Sequence, residues 1–325
     1  LFNDNARSNT FYEIKTEELE KYAPYMVKTL KKTAWLPWTV DQKLYAIPAI
    51  GYEWRDNSVA IRGDLREKYG LSPLETLDDL ERYFEAVAQN EKDIEAFRGS
   101  KLIFFSQAYE YSRESSAWMF KVDGVQSPEF EHIAFLDEYL AYAKKMRSFY
   151  EKGILSPDLI NDSTETAVKF QNETCSATYG TIGLVSRHCI SAAQNHPEWK
   201  VEMFLPTSDR KTYQISAGNA FAITRTSEHP TKAIEVVNHI HECVELQNLL
   251  NFGVEGVDYE MKDGQLKKLP NVPKEKAFNI GTNWNMTNKV MWEGYWSEER
   301  YDGYQKIEED LKKNTVENPL PAFNF

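Results

Sequence analysis

The spacing of apolar positions along this chain changes period repeatedly, from three-and-four spacing over ten to twenty residues to short alternating or unbroken runs. That alternation of helices and strands is the signature of an α/β fold. Residues 15–32 (KTEELEKYAPYMVKTLKK) form a helical run interrupted at Pro24. Two strands follow, Gln42 to Ile50 and Asn57 to Leu65, the second with Val59 and Ile61 on one face. A helix is expected after Thr76, with Asp78 and Asp79 in its first turn and apolar residues at Leu77, Leu80, Phe84 and Val87. Lys101 to Ser106 (KLIFFS) reads as a buried strand.

The second half repeats this grammar. Leu136 to Ile154 is an amphipathic helix stopped at Gly153, with Pro157 beyond. Residues 164–183 give a short helix and then a small-residue strand ending at Gly180. Val201 to Pro206 and Ile215 to Thr224 are strands, and His229 to Gly253 is the longest helix, with Pro230 in its first turn. Gly253 sits where a left-handed cap is wanted, and residues 257–269 alternate as a hairpin around Asp263-Gly264. These glycines follow a helix, whereas a phosphate loop needs them ahead of one, so that chemistry is excluded.

Composition narrows the classes. With 325 residues, 42% of them hydrophobic, the chain can bury a sizeable core and is long for one compact unit. A net charge of −12 argues against a nucleic-acid partner. Cys175, Cys189 and Cys243 have no CxxC spacing, so neither a disulfide framework nor a zinc ribbon is readable. No stretch approaches the roughly 20 apolar residues of a membrane helix, and any export signal is expected to have been removed ahead of Leu1. His239 and Cys243 share a helix face with His241 turned away, which leaves a metal short of a third ligand. Ser186, His188 and Cys189 lie side by side on what reads as a loop, whereas a nucleophile and its base must meet across folded space.

Six segments in order carry a resemblance: Lys43 to Pro48 (KLYAIP), Val59 to Leu71 (VAIRGDLREKYGL), Glu75 to Val87 (ETLDDLERYFEAV), Tyr150 to Leu159 (YEKGILSPDL), Ile215 to Ile240, and Asn251 to Gln265. Together they resemble the extracellular solute-binding proteins of ABC importers, in the carbohydrate-associated, lipoprotein-like branch (family 1), over nearly the whole chain. The resemblance implies a two-lobed periplasmic-binding-protein-like (type II) α/β fold, each lobe a mixed sheet flanked by helices. It places lobe 1 at residues 1–110 and 213–280 and lobe 2 at 111–212 and 281–325, hinged by strands crossing near 106–110, 213–218 and 277–282. It further implies an ABC-importer subunit that captures a carbohydrate, an oligosaccharide in this reading, and hands it unmodified to membrane permease subunits. Such a chain is expected to be monomeric, to need no cofactor or metal, and to work extracellularly, lipid-anchored at the cell surface, or in the periplasm. Relatives carry further segments at both ends, so the chain reads as trimmed. Its Phe170 to Ala177 turn has Glu173 and Thr174 where the family has Gly and Lys, and Gly180, Thr181 and Ile182 stand where sugar binders often place a Trp.

Eight Trp, 18 Tyr and 17 Phe exceed what a core requires, and sugars stack their C–H faces on such rings. In the resembled fold the turn after Pro48 faces the cleft, making Trp54 a stacking platform with Glu53, Arg55 and Asp56 as hydroxyl partners; the alternative is a solvated turn. Gln107, Tyr109, Tyr111 and Trp118 align loosely with ligand positions, against helical core packing of Tyr111 and Trp118. Trp284 and Trp292 belong to an aromatic-rich stretch whose spacing also suits a core helix. Tyr179 is the substitute for the absent Trp. Two other readings stay open: a cell-surface glycan-binding protein without an importer, and a glycoside hydrolase, for which the 50 acidic residues suffice in number but form no motif.

Overall fold

The computed structural model describes residues 2–54, 57–99, 108–109, 111–113, 118–122, 129–159, 161–206, 211–216, 219–262, 265–269, 286–288, 291 and 301–316. The chain divides into two compact units: Leu1–Glu53 with Ile215–Glu298 and Asn318–Phe325, and Trp54–Gln214 with Glu299–Glu317. The passage at Gln214–Ile215 lies inside the expected 213–218 crossing. Residues 54–110, expected in lobe 1, group instead with the second unit, because Ser58–Ile61 is the central strand of that unit's main sheet. The expected crossings at 106–110 and 277–282, and the expected strand Lys101 to Ser106, fall outside the described residues apart from Ala108 and Tyr109.

In the second unit Ser58–Ile61 pairs antiparallel with Glu202–Phe204 on one side and Ala177–Gly180 on the other. It is buried along its whole length, as a strand covered on both faces must be. It stops at Ile61, and Gly63–Lys68 is already helical, so the strand expected to reach Leu65 is shorter. Helix Leu77–Asn90 lays Leu80, Tyr83, Phe84 and Val87 on a core with Val59, Ile61, Phe97 and Phe149. The helix starts after Thr76 as expected, and there it has a capping box: the Thr76 hydroxyl accepts the Asp79 N–H while Asp79 accepts the Thr76 N–H. Helix Ile182–Asn195, where sequence periodicity gave no helix, packs on all three strands of the sheet. A second sheet joins Tyr111–Arg113, Trp118–Lys121 and Glu131–His132, all antiparallel.

The first unit pairs Ala46–Pro48 with Ala220–Ala222 and packs helices Thr16–Tyr22, Pro24–Thr29 and Pro230–Glu242 around Ile14, Met26, Ile47, Ile50, Ile223 and Ile234. Helix Pro24–Thr29 has no side-chain cap of its own. Asn238, buried on Pro230–Glu242, accepts the Tyr25 and Met26 N–H groups at 3.0 and 3.3 Å instead. The hairpin around Asp263-Gly264 is present as Tyr259–Lys262 against Gln265–Lys268. Gly253 has positive φ, and a Cβ there would lie 2.3 Å from the Asp258 carboxylate, which accepts the Val254 N–H.

The long helix expected over His229 to Gly253 is two helices, Pro230–Glu242 and Val244–Phe252, divided at an extended Cys243. The break frees the carbonyls of Ile240 and His241 from their in-helix partners. Buried Gln247 donates to Ile240 O at 2.6 Å, and buried Asn288 donates to His241 O at 2.8 Å. The same Gln247 donates to Met286 O at 2.7 Å and accepts the Asn288 N–H at 2.9 Å, pinning residues 286–288 to the helix pair. Replacing Gln247 by Leu strips two part-buried carbonyls and one buried N–H of this partner. The expected cost is about 3 kcal/mol, read as a lower denaturant midpoint at unchanged slope.

Candidate functional site

The expected site residues divide by environment. Trp54 ends strand Tyr52–Trp54 and is 6% exposed. Its indole N–H donates to Thr315 Oγ1 at 3.0 Å, and that hydroxyl donates onward to Leu311 O at 2.7 Å, at the end of helix Tyr304–Lys313. In this structure the ring ties that helix to the strand, and its faces are covered. Glu53 lies on the same strand; its side chain, like Arg55, Asp56, Gln107, Trp284 and Trp292, is outside the described residues.

Tyr111 and Trp118 lie on neighbouring strands, not on a helix. Tyr111 is buried with Met119, Ile133, Leu136 and Tyr142, partly buried Tyr109 packs on the same cluster, and the Lys121 ammonium sits 5.4 Å from the Tyr111 ring centre. Burial, with Glu138 and Glu131 nearby, pushes the Tyr111 phenol up. Trp118 faces outward and is 47% exposed, with the His132 ring edge-on at 5.5 Å. Pleating explains the split, since successive side chains of Trp118–Lys121 point to opposite faces.

Tyr179 is half-buried on the main sheet, opposite Val59, and its hydroxyl donates to Arg98 O at 3.2 Å. Thr166 Oγ1 donates to the same carbonyl at 3.0 Å. The Arg98 side chain is 3% exposed and meets Glu95 at 2.9 Å and Asp162 at 3.0 Å. Lys169 joins both carboxylates, at 2.5 and 2.8 Å. Two cations and two anions thus neutralise one another in a partly dry site, the condition under which a buried guanidinium is tolerated. This ionic cluster, which periodicity could not reveal, fixes the carbonyl that Tyr179 needs.

The other titratable candidates are structural. Ser186, His188 and Cys189 lie on helix Ile182–Asn195, not a loop. Ser186 Oγ accepts the Tyr301 N–H at 2.9 Å, and His188 approaches Thr178 Oγ1 at 3.5 Å. Burial pushes the Cys175 thiol up to about 11 and the Cys189 thiol up to about 12. His239 is exposed, and the extended Cys243 ends the helix face the two were expected to share. His241 is fully buried and donates from Nδ1 to Val237 O at 2.9 Å, burial holding it below the usual imidazole range. Among the described residues no three His, Cys, Asp or Glu side chains are grouped to hold a metal ion. Among them, too, no helix is long and apolar enough to cross a membrane.

No family model matches the chain. A carbohydrate ABC transporter substrate-binding protein of Streptococcus pneumoniae serotype 4 (strain ATCC BAA-334 / TIGR4) is 23% identical over 331 aligned positions, covering 99% of this chain. The chain spans 64% of the length of that relative. Among solved structures, the N-glycan transport solute binding protein NgtS of Streptococcus pneumoniae, in complex with Man1GlcNAc, superposes with a TM-score of 0.69 at 20% identity, over 100% of this chain and 71% of that one. The alginate-binding protein AlgQ2 superposes with a TM-score of 0.68 at 16% identity, over 100% and 71%. The fold expected from the resemblance is therefore the fold found.

Two predictions follow from these placements. Trp54→Ala, which empties a buried indole site, is expected to lower stability by about 3–5 kcal/mol, whereas Trp54→Phe, losing little more than the bond to Thr315, costs about 1 kcal/mol; both are read from denaturant midpoints. Asp162 is held well below the usual carboxylate range, first by the Lys169 bond and then by Thr164 and Arg98. A depressed carboxyl stabilises the fold above its unfolded pKa and ceases to as pH falls through its folded one. Lys169→Met is expected to be less stable than wild type at pH 7, with the gap closing below about pH 4, as followed by unfolding at a series of pH values.

Proposed function

We propose that this chain, which has the fold of the ABC-transporter solute-binding proteins, is the solute-binding part of a carbohydrate importer. In this reading it captures a neutral oligosaccharide and releases it unaltered to permease subunits. The observation that carries the reading is the match over the entire chain to binding proteins of this fold, one of them holding Man1GlcNAc. Its similarity to a carbohydrate ABC transporter substrate-binding protein over 99% of its length adds support. Trp118 is the described candidate whose ring is open to solvent, as a stacking partner must be.

The two compact units serve as the two lobes in this reading, with Gln214–Ile215 in one hinge strand. A ligand shifts an open-to-closed equilibrium only by its differential affinity for the two states. The protein works as a monomer outside the cytoplasmic membrane, either lipid-anchored or periplasmic. Glu53, Arg55, Asp56, Gln107, Trp284 and Trp292 remain assigned to hydroxyl pairing and stacking. Trp54, Tyr109 and Tyr111 act behind them through packing, and Tyr179 through its tethered ring.

The test is incubation with mannotriose, maltotriose and kestose, followed by calorimetry, thermal melting and mass spectrometry of the recovered sugar. One of these sugars is expected to bind and, at a free concentration of 100 times Kd, to stabilise the fold by about 2.7 kcal/mol, and to be recovered intact. Recovery of shortened sugar identifies a hydrolase instead.

A further inference from the structure

The sheet built from Tyr111–Arg113, Trp118–Lys121 and Glu131–His132 has one face in the core and one lined with rings. Met119, at 0% exposure, points inward to Tyr111 and Ile133. Trp118 lies directly opposite His132 across the strands, their rings perpendicular at 5.5 Å. Two residues further along the same face Phe120 meets Phe130, with ring centres 5.7 Å apart. Beyond His132 the chain turns through Ile133–Phe135, and the Phe135 ring lies 5.6 Å from the imidazole. Trp118, His132 and Phe135 thus form one run of ring contacts, and Phe120 and Phe130 form a second pair further along the strands. Phe120 is buried, whereas Trp118 is 47% and Phe135 85% exposed.

Two features give this surface a chemistry. His132 Nδ1 accepts the Ala134 N–H at 3.3 Å, so the neutral ring carries its proton on Nε2 and offers a donor beside the exposed rings. Lys121, the one cation in the described stretches 118–122 and 129–138, points to the opposite face and sits over the Tyr111 ring, so no cation of these stretches shares the face of Trp118 and His132 to pair an acidic sugar. Such a surrounding disfavours an anionic ligand. Size argues against a macromolecule: with about 150–250 Å² per aromatic side chain, the open parts of Trp118 and Phe135 total roughly 300 Å². A stable protein interface takes about 800 Å² from each partner. Flat apolar faces with a ring N–H at their edge suit a pyranose, which presents C–H groups on its face and hydroxyls at its rim.

We propose that Trp118, His132 and Phe135 form a stacking platform for a neutral pyranose chain, with Trp118 and Phe135 supplying the faces and His132 Nε2 donating to a hydroxyl. The proposal rests on the oligosaccharide-binding reading above and adds two residues and a charge preference to it. Phe120 and Phe130 support the platform from within the sheet.

The full chain is titrated by calorimetry with mannotriose, maltotriose, kestose and an alginate trimer, alongside Trp118→Ala, Phe135→Ala and His132→Ala. Phe135 is largely outside the packing, so its variant is expected to melt with the wild type. Wild type is expected to bind a neutral trisaccharide at least about tenfold more tightly than the uronate, and Trp118→Ala and Phe135→Ala each to weaken that neutral binding about tenfold. His132→Ala is expected to weaken it less. If wild type binds a neutral sugar and both ring variants bind it equally well, the platform is overturned while the oligosaccharide reading stands. Failure of wild type to bind any of these sugars overturns the reading and the platform with it. Equal or tighter binding of the alginate trimer overturns the charge preference. Sedimentation velocity showing a dimer that Phe135→Ala dissociates makes the surface a self-contact and overturns the proposal.

Discussion

Backbone groups freed wherever a segment ends must still find partners, and this constraint governs both units. Each unit is stitched from stretches far apart in sequence, and buried polar side chains make the stitches. In the first unit three amides do this: Asn238 serves Tyr25 and Met26, Gln247 serves Ile240 and Met286, and Asn288 serves His241. In the second, the Tyr83 hydroxyl donates to Ser176 O, the Ser176 hydroxyl donates to Ala96 O, and the Arg98 cluster gathers Glu95, Asp162 and Lys169. Apolar packing alone is tolerant of sliding, whereas such bonds accept one register.

That division of labour extends to the aromatic residues. Trp54 and Tyr179 have their polar atoms engaged by Thr315 Oγ1 and Arg98 O, and Tyr111 is packed under Lys121. Their value to a ligand is indirect, through the shape they hold. Trp118 and Phe135 differ from these in exposure: their sheet and turn are anchored by Met119 and Ile133 in the core, while their own rings lie in good part open to solvent. Rigid support with an open face is what a stacking contact requires.

Sequence periodicity located most elements because their causes are local. The Thr76 box, the stop at Gly153 with its positive φ, Pro230 in the first helical turn and the Asp263-Gly264 hairpin all act within a few residues. It failed where the cause is distant. The apolar repeat runs unbroken through Cys243, and the groups that make a break tolerable are Gln247 and Asn288, the latter 47 residues beyond the carbonyl it serves. Trp54 read as an exposed platform because its partner Thr315 is 261 residues away. Likewise the sequence left Tyr111 and Trp118 between ligand contact and helical core packing, and only the strand pairing with Glu131–His132 shows which face each ring takes. Order and identity of motifs carried the fold further than any single pattern, since the resemblance led to the architecture that solved structures share.

The cysteines give the molecule an experimental handle. Cys175 and Cys189 are buried in the second unit, out of reach of a reagent in solvent, whereas Cys243, at the bend between two helices of the first, is partly open to solvent. A maleimide fluorophore added to the native chain should therefore attach at one known position, without any engineered substitution. Emission from that label would follow rearrangement of the helical bend in real time, in a protein that otherwise offers only eight overlapping tryptophan signals.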